Sequence, residues 1–471
     1  MGIPLIQRAA LRAPLCRTLI AFLIVFHLSS HARGQANVLD TSNGDGVLRT
    51  ITLDGAPLDR TNPFFQSLGT NGRSCVSCHV PSAGWTITPT EVQDRFNKTK
   101  GLDPIFRTND GSNAPIADVS TLTARRNAYS MLLTKGVIRV GLPIPAGAEF
   151  ELAAVDDPYG FASASELSLF RRPMPTTNLR FLTAVMWDGR ESFGPMGTTP
   201  ILDAATDAEN TLALFNNLKH QANDATMGHA QGAALSDAQQ IAIARFELNL
   251  ASAQHTGQGV GVLNARGTLG GAANLAAQQF FVSINDVFGG DKLTGNFDPH
   301  AMKLFDAWAG ANNPKQAAVA RGAALFGSIK IELKGVGGLN DALGIPTITA
   351  SCTACHDSPN VGNHSVALPI DIGLTDESRR TLDMPLYALR NLTTGQIRKT
   401  TDPGRALLTG KWADIGKFKG PVLRGLASRA PYFHDGSAAD LGDVLDFYED
   451  RFTIGLTAQQ RADLIAFLSA L

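Results

Sequence analysis

The sequence predicts a mainly α chain, built as two helical domains with long loops and an inserted helical region. Three observations predict it. Capped helix starts followed by apolar stripes recur along the chain. One short motif occurs twice, as Cys75-Val76-Ser77-Cys78-His79 and Cys352-Thr353-Ala354-Cys355-His356, once towards each end. Gly and Pro are plentiful, 46 and 24 among 471 residues, which demands many loops. A chain of this length suits two domains or more.

The first 36 residues stand apart. Arg8, Arg12 and Arg17 precede an apolar run from Leu19 to Leu28, and small or polar residues lead to Gly34-Gln35-Ala36. That three-part pattern predicts a cleaved secretory signal over 1–36 and a periplasmic destination, with an uncleaved membrane anchor as the competing reading. The run is too short to span a bilayer. The segment holds four arginines, Arg33 included, and no acid. The remainder is therefore more acidic than the −1 of the whole chain. No basic patch suggests a nucleic-acid partner.

The first motif lies in a turn-rich stretch, Asn62-Pro63-Phe64-Phe65 through Gly69, Asn71 and Gly72. From Trp85 to about Phe170 the pattern suggests loops with a few helical pieces. Residues 204–254 are expected to be helical. Ser236 and Gln239 form a capping box, and Ile243, Phe246 and Leu250 make an apolar stripe. A Gly-rich break runs from Gly257 to Gly271. Asn313-Pro314 opens another helix, with Pro at its first position. Thr457 and Gln460 cap the last one, whose core face is Leu464, Phe467, Leu468 and Leu471. The domains are expected at 37–312 and 313–471.

Of five cysteines, Cys16 falls in the leader and the other four are all in the two motifs. Covalent haem needs two thiols about one helical turn apart, one for each vinyl group. It also needs an imidazole beside the second thiol to reach the iron. A redox dithiol needs no adjoining histidine, and half a zinc site would need its other half nearby. The motifs therefore predict two covalently bound haem c groups, with His79 and His356 as iron ligands and the cysteines as attachment points.

The C-terminal stretch Phe418-Lys419-Gly420-Pro421-Val422-Leu423-Arg424-Gly425-Leu426, then Ala430-Pro431-Tyr432-Phe433-His434-Asp435-Gly436-Ser437, resembles the signature of bacterial dihaem cytochrome c peroxidases and their MauG-like relatives. Upstream, Trp187-Asp188-Gly189-Arg190 resembles the family's Trp-Asp-Gly-Arg motif. The resemblance runs over roughly 60–471 and is patchy at 85–170 and 195–310. It implies two cytochrome c-like haem domains. The C-terminal haem would accept electrons and the N-terminal haem would meet peroxide. A tryptophan lies between them, here Trp187, for which core packing is the competing reading. His434 matches a histidine near the second haem, read as structural or propionate-facing.

Several positions depart from the family. Its Gln about ten residues after the tryptophan would fall at Gly197, so the match shifts past an insertion to Gln221, and Gln231 then replaces the family's acid. An amide cannot shuttle a proton, whereas an imidazole can. His229 is therefore the candidate proton carrier, with a surface histidine as the rival reading. His220 and Glu247 are weaker alternatives, Glu247 being expected on a solvated face. The family's sixth ligand to the C-terminal iron is a methionine about fourteen residues after the motif histidine. Here that position is Tyr448, as in MauG-type oxidases, and Met384 is the remaining methionine candidate. The resemblance also implies calcium, held partly by backbone carbonyls matching Arg429 and Pro431. Pro173 stands where the family has an Asn ligand and offers no side-chain oxygen, which puts calcium in doubt.

The expected activity is reduction of hydrogen peroxide, with a small cytochrome c or cupredoxin as electron donor. A MauG-like oxidase acting on an organic or protein substrate is the first alternative. A non-catalytic dihaem electron carrier is the second. A homodimer is compatible with all three. Intact mass spectrometry should find two haems per chain. Replacing Cys75 and Cys78 by Ala should leave one, and a wild-type chain with none or one contradicts the reading.

Overall fold

The computed structural model describes residues 37–192, 207–287, 289 and 295–471. The leader and Gly197 lie outside the described residues. Among these, the main helices are Pro89–Thr99, Asp207–Gly228, Asp237–Leu248, Pro314–Ser328, Leu441–Phe452 and Ala458–Ser469. Their starts follow the expected chemistry. Ser236 and Thr457 form true capping boxes with Gln239 and Gln460, and the Asn313 side chain accepts from Lys315 N.

The expectation of a mainly α chain is overturned. Among the described residues helix accounts for 33% and strand for 18%, in four small sheets. The widest sheet pairs Val38–Asn43, Gly46–Thr52, Leu250–Gly257 and Gly261–Val262 in that order, antiparallel throughout. Residues 250–254, expected to be helical, belong instead to the strand Leu250–Gly257. Its partner lies some two hundred residues earlier, so the pairing is a tertiary effect that local pattern does not carry. The Trp85–Phe170 region holds three strands, Ile138–Leu142, Phe150–Asp156 and Leu167–Arg171, the last ending one residue beyond it.

Ala36–Leu471 forms one compact unit. Pairing crosses residue 312, because Phe150–Asp156 lies against Leu386–Asn391, which also pairs with Ile397–Thr400. The Pro314–Ser328 helix packs along Ala458–Ser469. Gly322 is required there, since a Cβ would come within 1.9 Å of the Asp463 carbonyl oxygen. No described helix is long and apolar enough to cross a membrane.

A buried ionic network ties the strands to the central loop. Arg171 binds Asp402 through two parallel contacts of 2.7 and 2.8 Å and reaches Asp188 at 2.6 Å. All three side chains are at most 2% exposed. Two carboxylates around one fork-shaped guanidinium suit the geometry that makes burial of such charges tolerable. Asp402→Ala should lower unfolding stability by roughly 3–5 kcal/mol, because the buried Arg171 loses its two-point carboxylate and keeps only Asp188. A guanidinium-chloride titration losing under about 1 kcal/mol would assign Asp402 a surface-like role.

Candidate functional site

One continuous cavity, largely apolar, is lined by all six motif residues: Cys75, Cys78, His79, Cys352, Cys355 and His356. Each motif begins as a short 3-10 turn, Cys75–Ser77 and Cys352–Ala354, which swings the histidine back beside its first cysteine. None of the four cysteines is in a disulfide. Burial pushes all four above the ordinary thiol range, to about 12 for Cys352 and Cys355. An active redox dithiol shows the opposite shift. Among the described residues no cluster of three metal donors includes a motif cysteine. Both rival readings of the motifs lose support on those grounds.

The imidazoles are oriented alike. His79 Nδ1 lies 3.2 Å from the Trp85 carbonyl, and His356 Nδ1 lies 2.6 Å from the Gly362 carbonyl. Burial holds both rings below their usual pKa, that of His79 at about 4, so they are neutral. A neutral imidazole with its Nδ1–H spent on a carbonyl presents Nε2 as a metal donor, which is how ligating histidines are normally set. The carbonyls are themselves held in place. Trp85 sits at φ 62, and its indole Nε1 donates to Thr50 Oγ1 at 2.9 Å. Thr50 is bridged to Ser252 across the wide sheet. Gly362 sits at φ 66, where a Cβ would meet Leu423 at 2.8 Å.

The described residues thus suit a haem at each motif: two thiols, one oriented imidazole and an apolar wall. They also leave polar groups in need of a partner. His434 is 1% exposed and neither ring nitrogen has a hydrogen-bond partner among the described residues. It stacks on Phe418 at 4.5 Å and meets Trp187 edge-on at 6.4 Å. The Lys419 ammonium, on the same wall, is also unpartnered, and burial, with Arg429 adding to it, lowers its pKa to about 7. Anionic haem propionates would satisfy such groups.

Trp187 lines the cavity and is pinned on both sides. Its Nε1 donates to the Arg172 carbonyl at 2.9 Å, and its own carbonyl accepts from Lys419 N at 2.9 Å. Next to it Asp188 suffers the cost of burial, but Arg190 and Arg171 outweigh it and hold the carboxyl well below its usual range.

Gln221 and His229 line the cavity from the Asp207–Gly228 helix and the turn after it. His229 Nδ1 pairs with Asp110 Oδ2 at 2.5 Å, and Arg73 pairs with the other Asp110 oxygen. Burial alone would raise the Asp110 pKa, yet His229 and Arg73 together leave it lowered. Gln231 is exposed at φ 54 and is not on the cavity wall. His220 is exposed too and pairs with Glu191 at 2.7 Å. Tyr448 lines the second motif's end of the cavity. Met384 lies elsewhere, packed with Met131, Val137 and Phe170.

Sequence reading missed Asp110, Arg73, Lys419 and His364, and misplaced Glu247. Arg73, two residues before Cys75, carried the only positional hint. His364 is 4% exposed on the cavity wall, its Nε2 without a hydrogen-bond partner, and burial lowers its pKa to about 3. Glu247 is 3% exposed rather than solvated, because it lies one turn after Ile243 on the buried face of its helix.

No family model matches the chain. Among curated relatives, it is 29% identical over 184 residues to the cytochrome-c peroxidase IdrP1 of Denitromonas iodatirespirans, covering 36% of this chain and 44% of that one. It is 31% identical over 142 residues to IdrP1 of Pseudomonas sp. (strain SCT), covering 26% and 36%. It is 29% identical over 141 residues to IdrP2 of Denitromonas iodatirespirans, covering 28% and 38%. Less than half of each relative is spanned. A solved MauG-like protein associated with microbial copper homeostasis covers 87% of both chains at 16% identity, with a TM-score of 0.36, too low to decide the fold. The chain is a relative of the peroxidase class of oxidoreductases. More particularly, its kin are bacterial cytochrome-c peroxidases.

Glu247 supplies a test of the cavity's electrostatics. Burial alone raises its pKa to about 8. A raised carboxyl contributes stability that is complete below its ordinary value and lost as pH climbs towards 8. Glu247→Gln should therefore be near neutral at pH below about 4.5 and stabilising above about 8, on the order of 5 kcal/mol. Denaturant titrations at the two pH values, equal in their effect, would contradict the burial.

Proposed function

We propose that this protein is an exported dihaem c-type oxidoreductase that reduces hydrogen peroxide. The reading assigns peroxide to the haem on Cys75, Cys78 and His79, in the 37–312 half. Electrons from a small cytochrome c or cupredoxin enter through the haem on Cys352, Cys355 and His356, in the 313–471 half. Export rests on the leader pattern of 1–36. The observation that carries the proposal is the paired arrangement of His79 and His356. On the wall of one cavity, each has its Nδ1 against a backbone carbonyl. Kinship with cytochrome-c peroxidases supports it.

Haem, when bound, supplies the redox chemistry: two electrons and two protons convert one peroxide into two waters. The chain's part is binding and proton handling. One peroxide oxygen must lose a proton and the other must gain one. His229 is the candidate carrier, because it lines the cavity and Asp110 holds its Nδ1. Asp110, buried and held by Arg73, fixes the orientation of the His229 ring. Gln221 can orient the substrate through its amide. Trp187, held through both its indole nitrogen and its carbonyl, is the candidate path for electrons.

One observation favours a second reading. Tyr448, and not Met384, lies at the second motif's cavity. A phenolate donor would lower that haem's potential relative to a thioether and favour an oxidase that draws electrons from an organic or protein substrate. Tyr448→Phe should then change the C-terminal haem spectrum and raise its potential. An unchanged spectrum removes this reading.

His229→Ala should slow the peroxide reaction by about 10²–10⁴-fold with haem content intact, read by stopped-flow absorbance. If Glu247→Ala is the damaging change and His229→Ala is silent, the proton carrier is misassigned. Trp187→Phe should slow transfer between the haems while both spectra persist. Unchanged turnover returns Trp187 to packing.

A further inference from the structure

Arg172 sits where four separated stretches of chain converge, and it is 5% exposed. Its guanidinium donates to three backbone carbonyls: Lys135 O at 2.9 Å, Ile87 O at 2.7 Å and Arg429 O at 3.0 Å. Its backbone nitrogen donates to His434 O at 2.6 Å, and its carbonyl accepts from Trp187 Nε1. One residue thus joins the segment after the first motif, the end of the Ser130–Lys135 helix, the Trp187 loop and the His434 segment. The approach is close enough to exclude a side chain at Gly136. That residue lies at φ 61, and a Cβ there would stand 2.7 Å from Arg172 Nη1.

Carbonyl oxygens converging on a buried positive charge form the kind of donor set that holds a hard cation. The calcium that the family resemblance implies does not fit here. Of the two matching carbonyls, that of Arg429 already accepts from Arg172. The side-chain ligand is replaced by Pro173, whose own carbonyl accepts from Thr86. The guanidinium has carbonyls around it and Arg429 as a repelling neighbour, and burial lowers its pKa to about 9. A planar fork with several donors meets several fixed carbonyls at once, which a single ammonium does less well.

We propose that the Arg172 guanidinium is the permanent cation of this junction, so that this protein positions Trp187 and His434 without a divalent ion. Arg172 acts as a positioning residue. A divalent ion could be removed by a chelator or exchanged, whereas this cation is part of the chain. The proposal holds whether the substrate is peroxide or an organic molecule, so the two readings fail separately.

The test uses the purified holoprotein, exposed to millimolar calcium and then dialysed, with metal content, Tm and haem absorption measured with calcium and with a chelator. The wild type should retain no stoichiometric calcium, and neither treatment should move its Tm or spectrum. Arg172→Ala should lose several degrees of Tm. Low-millimolar guanidinium ion, far below denaturing concentrations, should restore part of that loss. One calcium retained per wild-type chain, or a chelator-induced shift in Tm or spectrum, overturns the proposal. So does an Arg172→Ala protein with the wild-type Tm, or one whose loss guanidinium ion does not reduce. The wild-type measurements need no variant and decide the matter alone if Arg172→Ala fails to fold.

Discussion

The fixed direction of two neutral imidazoles is the constraint on which the rest of this structure depends. His79 and His356 can offer Nε2 to a metal only while Nδ1 is spent elsewhere, and both spend it on a backbone carbonyl. Such a carbonyl must be placed to within a fraction of an ångström. At the first motif this is achieved through Trp85, whose indole reaches Thr50, which is tied to Ser252 and through it to Thr177. The wide antiparallel sheet therefore serves the histidine. At the second motif a left-handed glycine, packed under Leu423, does the same work over a much shorter stretch.

The cavity is apolar, so each charge beside it needs an answer within the chain or from a ligand. Arg171 is answered by Asp188 and Asp402, and Arg172 by three carbonyls. Asp110 is answered by Arg73 and His229. His434 and Lys419 have no hydrogen-bond partner for their side-chain nitrogens among the described residues. Unmet polar groups on the wall of an apolar cavity mark where an anionic ligand edge would be stabilised. The same low-dielectric surroundings keep the thiols neutral until they are covalently used.

Much of the site was legible in the sequence because its chemistry is local. Two thiols and an imidazole within five residues are a pattern that spacing alone exposes, and capping boxes at Ser236 and Thr457 are equally local. The strands were not legible. Leu250–Gly257 finds its partner two hundred residues upstream, and Phe150–Asp156 pairs across about half the chain, so neither pairing leaves a periodic trace. Asp110 was invisible for the same reason, since nothing near it in sequence points to His229. Glu247 was misjudged by its charge, although its place four residues after Ile243 puts it on the buried stripe of its helix.

The central claim is that this chain holds two haems whose irons are unlike, one open to substrate and one closed by the protein. Optical and paramagnetic-resonance spectra of the purified holoprotein, oxidised and half-reduced, with and without hydrogen peroxide, test it most directly. The account predicts two distinct haem signals, of which one changes on adding peroxide to the half-reduced protein. Two closed low-spin haems, neither responding to peroxide in any redox state, would contradict it and leave a plain electron carrier.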